Sequence, residues 1–255
     1  LQVNAKITRE TIEKLRDSVP DSDDCDTLAY RASKPSKISI NLADIAYQLA
    51  VPACNKALRL YPDAARFQIQ YARSLLAAGR ASNAKTAADS AAQLGYKGAL
   101  HLLGQIYADG GLSDKNEPDE ETALKWFLEA ANKDDPEAQM VVASYYENGK
   151  GGLKRNSTRV VEWQTKAAEL NYPPAQVTLA RRYINGSSVS RDYEKAMNLL
   201  KSAIEEKYPD AYYYLAEMYE RGRGTKKDKA TALKFYRQAK QLGMEAATAK
   251  IQRLD

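Results

Sequence analysis

Between Lys97 and Met244 the chain repeats one pattern four times, in segments 97–135, 136–172, 173–208 and 209–244. Each opens near a small residue, Ala99, Ala138, Ala175 or Ala211, and places a tyrosine eight residues on, at Tyr107, Tyr146, Tyr183 and Tyr219. A glycine follows three later, at Gly110, Gly149, Gly186 and Gly222. A second small-residue column stands at Ala123, Val160, Ala196 and Ala232, with Trp126, Trp163, Leu199 and Phe235 three positions beyond. A unit this short cannot bury a core alone, so neighbouring units must stack. The expected architecture is all-α: a right-handed α/α superhelical solenoid of helix pairs, continuous along the chain.

The local signals agree. Ala138, Val141, Val142, Ala143 and Tyr146 follow the spacing of one helix face, and Val160, Trp163, Ala167 and Ala168 mark a second. Gly149, Gly151 and Gly152 stop the first helix, and Pro173–Pro174 close one unit and start the next. Gly104, Ala143, Ala180 and Ala216 form a column where two helices must cross closely, and the repeated tyrosines read as core.

These columns resemble the Sel1-like repeat, a relative of the tetratricopeptide repeat with a longer inter-helix loop. The resemblance rests on Ala99-x7-Tyr107-x2-Gly110 and Ala123-x2-Trp126-x3-Ala130-Ala131 with their three copies, and covers residues 97–244. Val160 and Lys240 depart from the alanine pattern without threatening the fold. Upstream, residues 64–96 read as a shorter, tetratricopeptide-like unit, with Leu76 and Gly79 in the tyrosine and glycine columns and Ala84, Ala91 and Ala92 behind them. Residues 1–63 read as an N-terminal capping segment. Within it Pro52–Leu60 is expected to form a helix begun by its proline, 38–50 a weaker helix, and 1–20 an amphipathic stretch. Residues 245–255 read as a C-terminal capping helix.

The chain has 255 residues and a net charge of +5, from 38 basic and 33 acidic side chains. No apolar run approaches the roughly 20 residues needed to cross a bilayer. Residues 97–135 carry four basic against nine acidic groups, and 209–255 ten against six. The basic run Arg221, Arg223, Lys226, Lys227 and Lys229 falls in a glycine-bearing loop among Glu220 and Asp228, which reads as a solvated turn rather than a nucleic-acid site. The first residue is leucine, which is expected to reflect removal of an upstream segment, by cleavage of an export signal or by truncation.

Cys25 and Cys54 are the only cysteines. Two thiols are too few for a zinc site, and their spacing is not that of a redox pair, which leaves a disulfide or two unlinked thiols. The pattern Cys25-Asp26-x-Leu28-Ala29 with Pro52-Ala53-Cys54 resembles the N-terminal part of secreted or periplasmic bacterial Sel1-like proteins, and that resemblance implies the disulfide and export. No metal or cofactor is expected.

Other motifs carry little. Ser82-x-x-Lys85 matches the serine–lysine signature of penicillin-recognising enzymes, but the partner signatures are missing. Asn156-x-Thr158 and Asn185-x-Ser187 are glycosylation sequons, read here as loop residues. The lone His101 has no nucleophile placed with it and is expected to face solvent or a groove.

First helices line the concave face of such a solenoid, and tetratricopeptide relatives bind peptides there. Offsets of two, six and nine after the column alanine select His101, Gln105 and Ala108; Met140, Ser144 and Glu147; Val177, Arg181 and Ile184; Tyr213, Glu217 and Glu220. The mixed stripe suits a protein or peptide partner. The expected function is a non-enzymatic adaptor, periplasmic or secreted. Its competitors are a β-lactam or cell-wall binding or hydrolysing protein, and a periplasmic regulator of a membrane sensor.

Overall fold

A computed structural model describes residues 25, 41–112 and 117–255. The amphipathic stretch at 1–20 and the start of the helix expected at 38–50 lie outside the described residues. Among the described residues twelve helices are seen: α1 Asn41–Leu60, α2 Ala65–Ala77, α3 Ala81–Gln93, α4 Gly98–Ala108, α5 Glu120–Asn132 and α6 Pro136–Asn148, followed by α7 Ser157–Glu169, α8 Pro173–Asn185, α9 Tyr193–Glu205, α10 Pro209–Arg221, α11 Lys229–Gln241 and α12 Ala246–Leu254. No strand occurs among the described residues. The fold is all-α, of the α/α-solenoid class. Contacts divide it into two compact units, Leu1–Glu129 and Ala130–Asp255.

Each repeat is closed by the same capping scheme, built from backbone groups that a helix leaves unpaired at its ends. First helices α6, α8 and α10 start on Pro136, Pro173 and Pro209 and end at Gly149, Gly186 and Gly222, whose φ values of 70°, 72° and 67° only glycine adopts without cost. Second helices begin at Asp119, Asn156, Asp192 and Asp228. Their carboxylate or amide oxygens accept from Thr122, Arg159, Lys195 and Thr231 backbone N–H groups at 2.9–3.0 Å. The cap residue's own N–H donates to the carbonyl of the column tyrosine, Tyr107, Tyr146, Tyr183 or Tyr219, at 2.9–3.0 Å. One residue therefore both starts the second helix and pins it to the end of the first, whatever the length of the loop between them.

The second helices also end alike. Gly95, Asp134, Asn171, Lys207 and Gly243 all adopt left-handed φ between 53° and 92°. Around them, paired backbone bonds run back to the last turn, such as Lys207 N–H to Ile204 O and Tyr208 N–H to Ala203 O.

The alanine columns are the core: Ala99, Ala138, Ala175, Ala211, Ala123, Ala196 and Ala232 are fully buried. So are Ala143, Ala180 and Ala216 of the crossing column. At Gly104, a Cβ would lie 2.6 Å from two ring carbons of Phe127, so α4 and α5 approach more closely than alanine permits. The column tyrosines are half-buried, contrary to their reading as core. They close the helix end through their carbonyls. The deeper position is the one four residues after the second alanine column: Phe127, Gln164, Leu200 and Tyr236 are at most 4% exposed.

Pro52 does not start a helix, as its sequence position suggested, but lies inside the 20-residue α1. It removes one N–H from the ladder. Burial of Ala50, Ala53, Cys54 and Ala57 on either side holds the helix together across it. Cys25 and Cys54 are joined by a disulfide with Cα atoms 4.6 Å apart, fully buried against Ala57 and Phe67.

Candidate partner-binding face

The first-helix stripe divides into residues that the fold consumes and residues that it leaves available. In the 1–129 unit, His101 is buried rather than solvent-facing, edge-on to Phe127 with ring centroids 5.5 Å apart. The close approach of α5 at Gly104 covers it, and its Nε2 lies 3.1 Å from the exposed Gln105 amide nitrogen. Ala108 is half-buried.

In the 130–255 unit, Val177 and Ile184 are 5% and 8% exposed, because both pack with Leu215 and Met218 of α10. They are wall, not contact surface. Met140 is half-buried against Ala167 and Leu179, whereas Ser144 and Glu147 are exposed.

The last repeat departs most from the expected open face. Tyr213, Glu217 and Glu220 are engaged by α12. Lys250 Nζ lies 2.6 Å from Glu217 and 3.8 Å from Glu220, and 5.6 Å from the centre of the Tyr213 ring. Arg253 pairs with Glu220, to which the buried Tyr236 hydroxyl also donates at 2.7 Å. Burial raises the Glu220 pKa, but the Tyr236 hydrogen bond, Lys250 and Arg253 outweigh it and hold the carboxyl below its ordinary range. Burial and then the Glu220 bond push the Tyr236 phenol far above its own. The α12 helix thus stands where a further first helix would stand, which is what a capping helix does. Sequence offsets place Glu217 and Glu220 on this face but carry no signal that the chain's own end covers them.

Two adjacent arginines show the division most clearly. Arg182 is spent: its Nε donates to Gln164 Oε1 at 2.7 Å, its Nη2 pairs with Glu147 at 2.6 Å, and its side chain is 15% exposed. Arg181 is exposed, with its Cζ 5.0 Å from the Tyr214 ring centre. It makes no ion pair among the described residues. Burial raises the Tyr214 pKa and Arg181 partly opposes that rise.

Hollows of about 180 Å³ and about 290 Å³ flank Arg181. Arg221, Arg223 and Tyr214 line the smaller, Glu147, Gln164 and Thr178 the larger, and Asn185 borders both. Arg221 and Arg223 therefore belong to this face rather than to a wholly solvated turn. Their residue types alone do not reveal it, because the glycine-terminated turn after α10 brings them back beside α8. Among the described residues no group of three or more metal-binding side chains clusters, and no helix is long and apolar enough to cross a membrane.

Stacked helix pairs with a shared capping scheme and an arginine-centred polar face define an α/α-solenoid repeat protein. The Sel1 repeat family model matches residues 97–135, 136–172, 173–208 and 209–244, more than half of the sequence, and the chain belongs to the Sel1 repeat family. Those bounds coincide with the four segments read from the sequence. Sel1 repeats are in general scaffolds for protein interaction, typically without enzymatic activity.

Among solved structures, a Sel1 repeat protein from Oxalobacter formigenes is similar at 26% identity and TM-score 0.65, over 72% of this chain and 74% of that one. A Pseudomonas aeruginosa protein, PA5086, shares the fold at 15% identity and TM-score 0.51, over 90% of this chain and 87% of that one. A Sel1 repeat protein from Klebsiella pneumoniae aligns at 21% identity and TM-score 0.47, over 77% and 95%. No curated protein sequence matches the chain.

Proposed function

We propose that this protein is a non-enzymatic adaptor that binds a protein or peptide along the first-helix face of its 130–255 unit, at Met140, Ser144 and Arg181. The observation that carries this reading is Arg181, an exposed guanidinium without a carboxylate partner among the described residues, stacked on an aromatic ring between two hollows. Arginine on a rigid helix, backed by an aromatic side chain, is the kind of group that dominates interface energetics. Val177, Tyr213 and Glu217 instead support the wall on which the partner rests.

The Ser82–Lys85 pair supports the non-enzymatic reading. Lys85 Nζ is held by Asp89 at 2.7 Å, and that bond raises its pKa, the opposite of what a general base requires. The Cys25–Cys54 bridge favours an oxidising compartment, periplasmic or extracellular. The test is capture of the partner by cross-linking in the native compartment, followed by affinity measurement with Arg181→Ala. Undiminished affinity would refute the placement of the site, and turnover of a chromogenic β-lactam by pure protein would refute the non-enzymatic reading.

A further inference from the structure

We propose that the hollow between α8 and α10 receives the carboxylate side chain of an aspartate or glutamate within an extended partner segment that crosses Arg181; this rests on the first-helix-face reading above. Three guanidinium groups, Arg181, Arg221 and Arg223, line the hollow against a single carboxylate, Glu217. That carboxylate is already neutralised by Lys250 at 2.6 Å and reaches Arg221 only at 3.7 Å. Arg181 and Arg223 make no ion pair among the described residues, so the hollow holds positive charge in excess of its one carboxylate. The contrast with Arg182, saturated by Glu147 and Gln164 one residue away, shows that this surplus is particular to one face of α8.

The arginine is also held in place. Its Cζ lies over the Tyr214 ring, 5.0 Å from the centre, a contact that uses the face of the guanidinium charge and consumes none of its N–H donors. Ile184 and Met218, at 8% and 0% exposure, lie behind these polar groups. The occupant is a side chain within a segment rather than a chain end, because concave surface continues on both sides of Arg181. The larger hollow offers Asn185 and Thr178 to a passing backbone.

The probes are N-acetylated, C-amidated nonapeptides with random flanks and a central glutamate or its neutral isostere glutamine, selected on the full chain and measured by fluorescence anisotropy. The glutamate set should bind about tenfold more tightly, the scale of one charge-assisted contact. The preference should shrink as salt is raised. It should vanish in Arg181→Gln and in Arg223→Gln, and reverse toward central lysine in the double variant Arg181→Glu/Arg223→Glu, with melting temperature held. Lys226→Ala, in the neighbouring loop, should leave it intact. Equal binding of both sets overturns the carboxylate site, and if Ser144→Trp still blocks that binding, the first-helix-face reading survives. A preference confined to free C-termini or to central phosphoserine overturns the site in favour of a chain end or a phosphate. No binding by either set overturns both readings.

Discussion

Gly104→Ala adds one methyl group where α4 crosses α5. Its Cβ would fall 2.6 Å from Cδ1 and Cε1 and 2.9 Å from Cγ of Phe127, well inside contact distance. Phe127 is 2% exposed and edge-on to His101, so its ring has little room to retreat. Overpacking of this kind costs about 1–3 kcal/mol, and three sub-3 Å contacts to one ring put this case near the upper value. Replacing a mid-helix glycine by alanine returns about 1 kcal/mol through helix propensity. The expected net loss is about 2 kcal/mol, or about 4–8 °C in Tm for a chain of this size. Thermal melts followed by circular dichroism at 222 nm measure it. The double variant Gly104→Ala/Phe127→Leu should recover most of the loss, since it copies the third repeat, where Ala180 lies in the same cluster as Leu200. Wild-type or higher stability for Gly104→Ala alone would refute the reasoning. It would mean that Phe127 can swing aside, as the ring of Tyr236 already accommodates Ala216 in the fourth repeat.

Arg181→Ala should weaken partner affinity by about 1–3 kcal/mol with Tm unchanged, whereas Tyr213→Ala, which removes a ring packed against Tyr214 and Tyr236, should lower Tm; affinity and melting measured on the same preparations separate the two. Lys207 is a non-glycine residue at φ 53°, so Lys207→Gly should stabilise the chain by about 1 kcal/mol, read as a rise in the urea midpoint. The Glu220 pKa is lower folded than unfolded, so its contribution is present above the ordinary carboxyl range and is lost as pH falls through the depressed value. Accordingly Glu220→Gln should be less stable than wild type at neutral pH, and the two curves should converge on acidification. Reduction of Cys25–Cys54, which closes a loop across a separation of 29 residues, should cost about 3–4 kcal/mol in a denaturant titration with and without reductant.

The repeat bounds, the helix content, the alanine columns and the glycine ends of the first helices were all legible in the sequence. Each is a local or periodic property: a column recurs because every unit meets the same neighbour, and a left-handed helix end admits few residues besides glycine. The Asp or Asn caps at Asp119, Asn156, Asp192 and Asp228 were equally legible, four residues before the second alanine column, though attention to apolar spacing passes over them. What tertiary structure alone decided is which polar residues remain available. Arg181 and Arg182 are chemically identical neighbours on α8, and only the positions of Glu147, Gln164 and Tyr214 leave one unpaired and exhaust the other. Likewise Glu217 holds the stripe position at which Gln105, Ser144 and Arg181 are exposed, but α12 packs back and brings Lys250 against it, as it brings Arg253 against Glu220. Periodicity reports the face a residue occupies within its own helix. Its partners come from elements 18 to 35 residues away, and no pattern within one repeat encodes them.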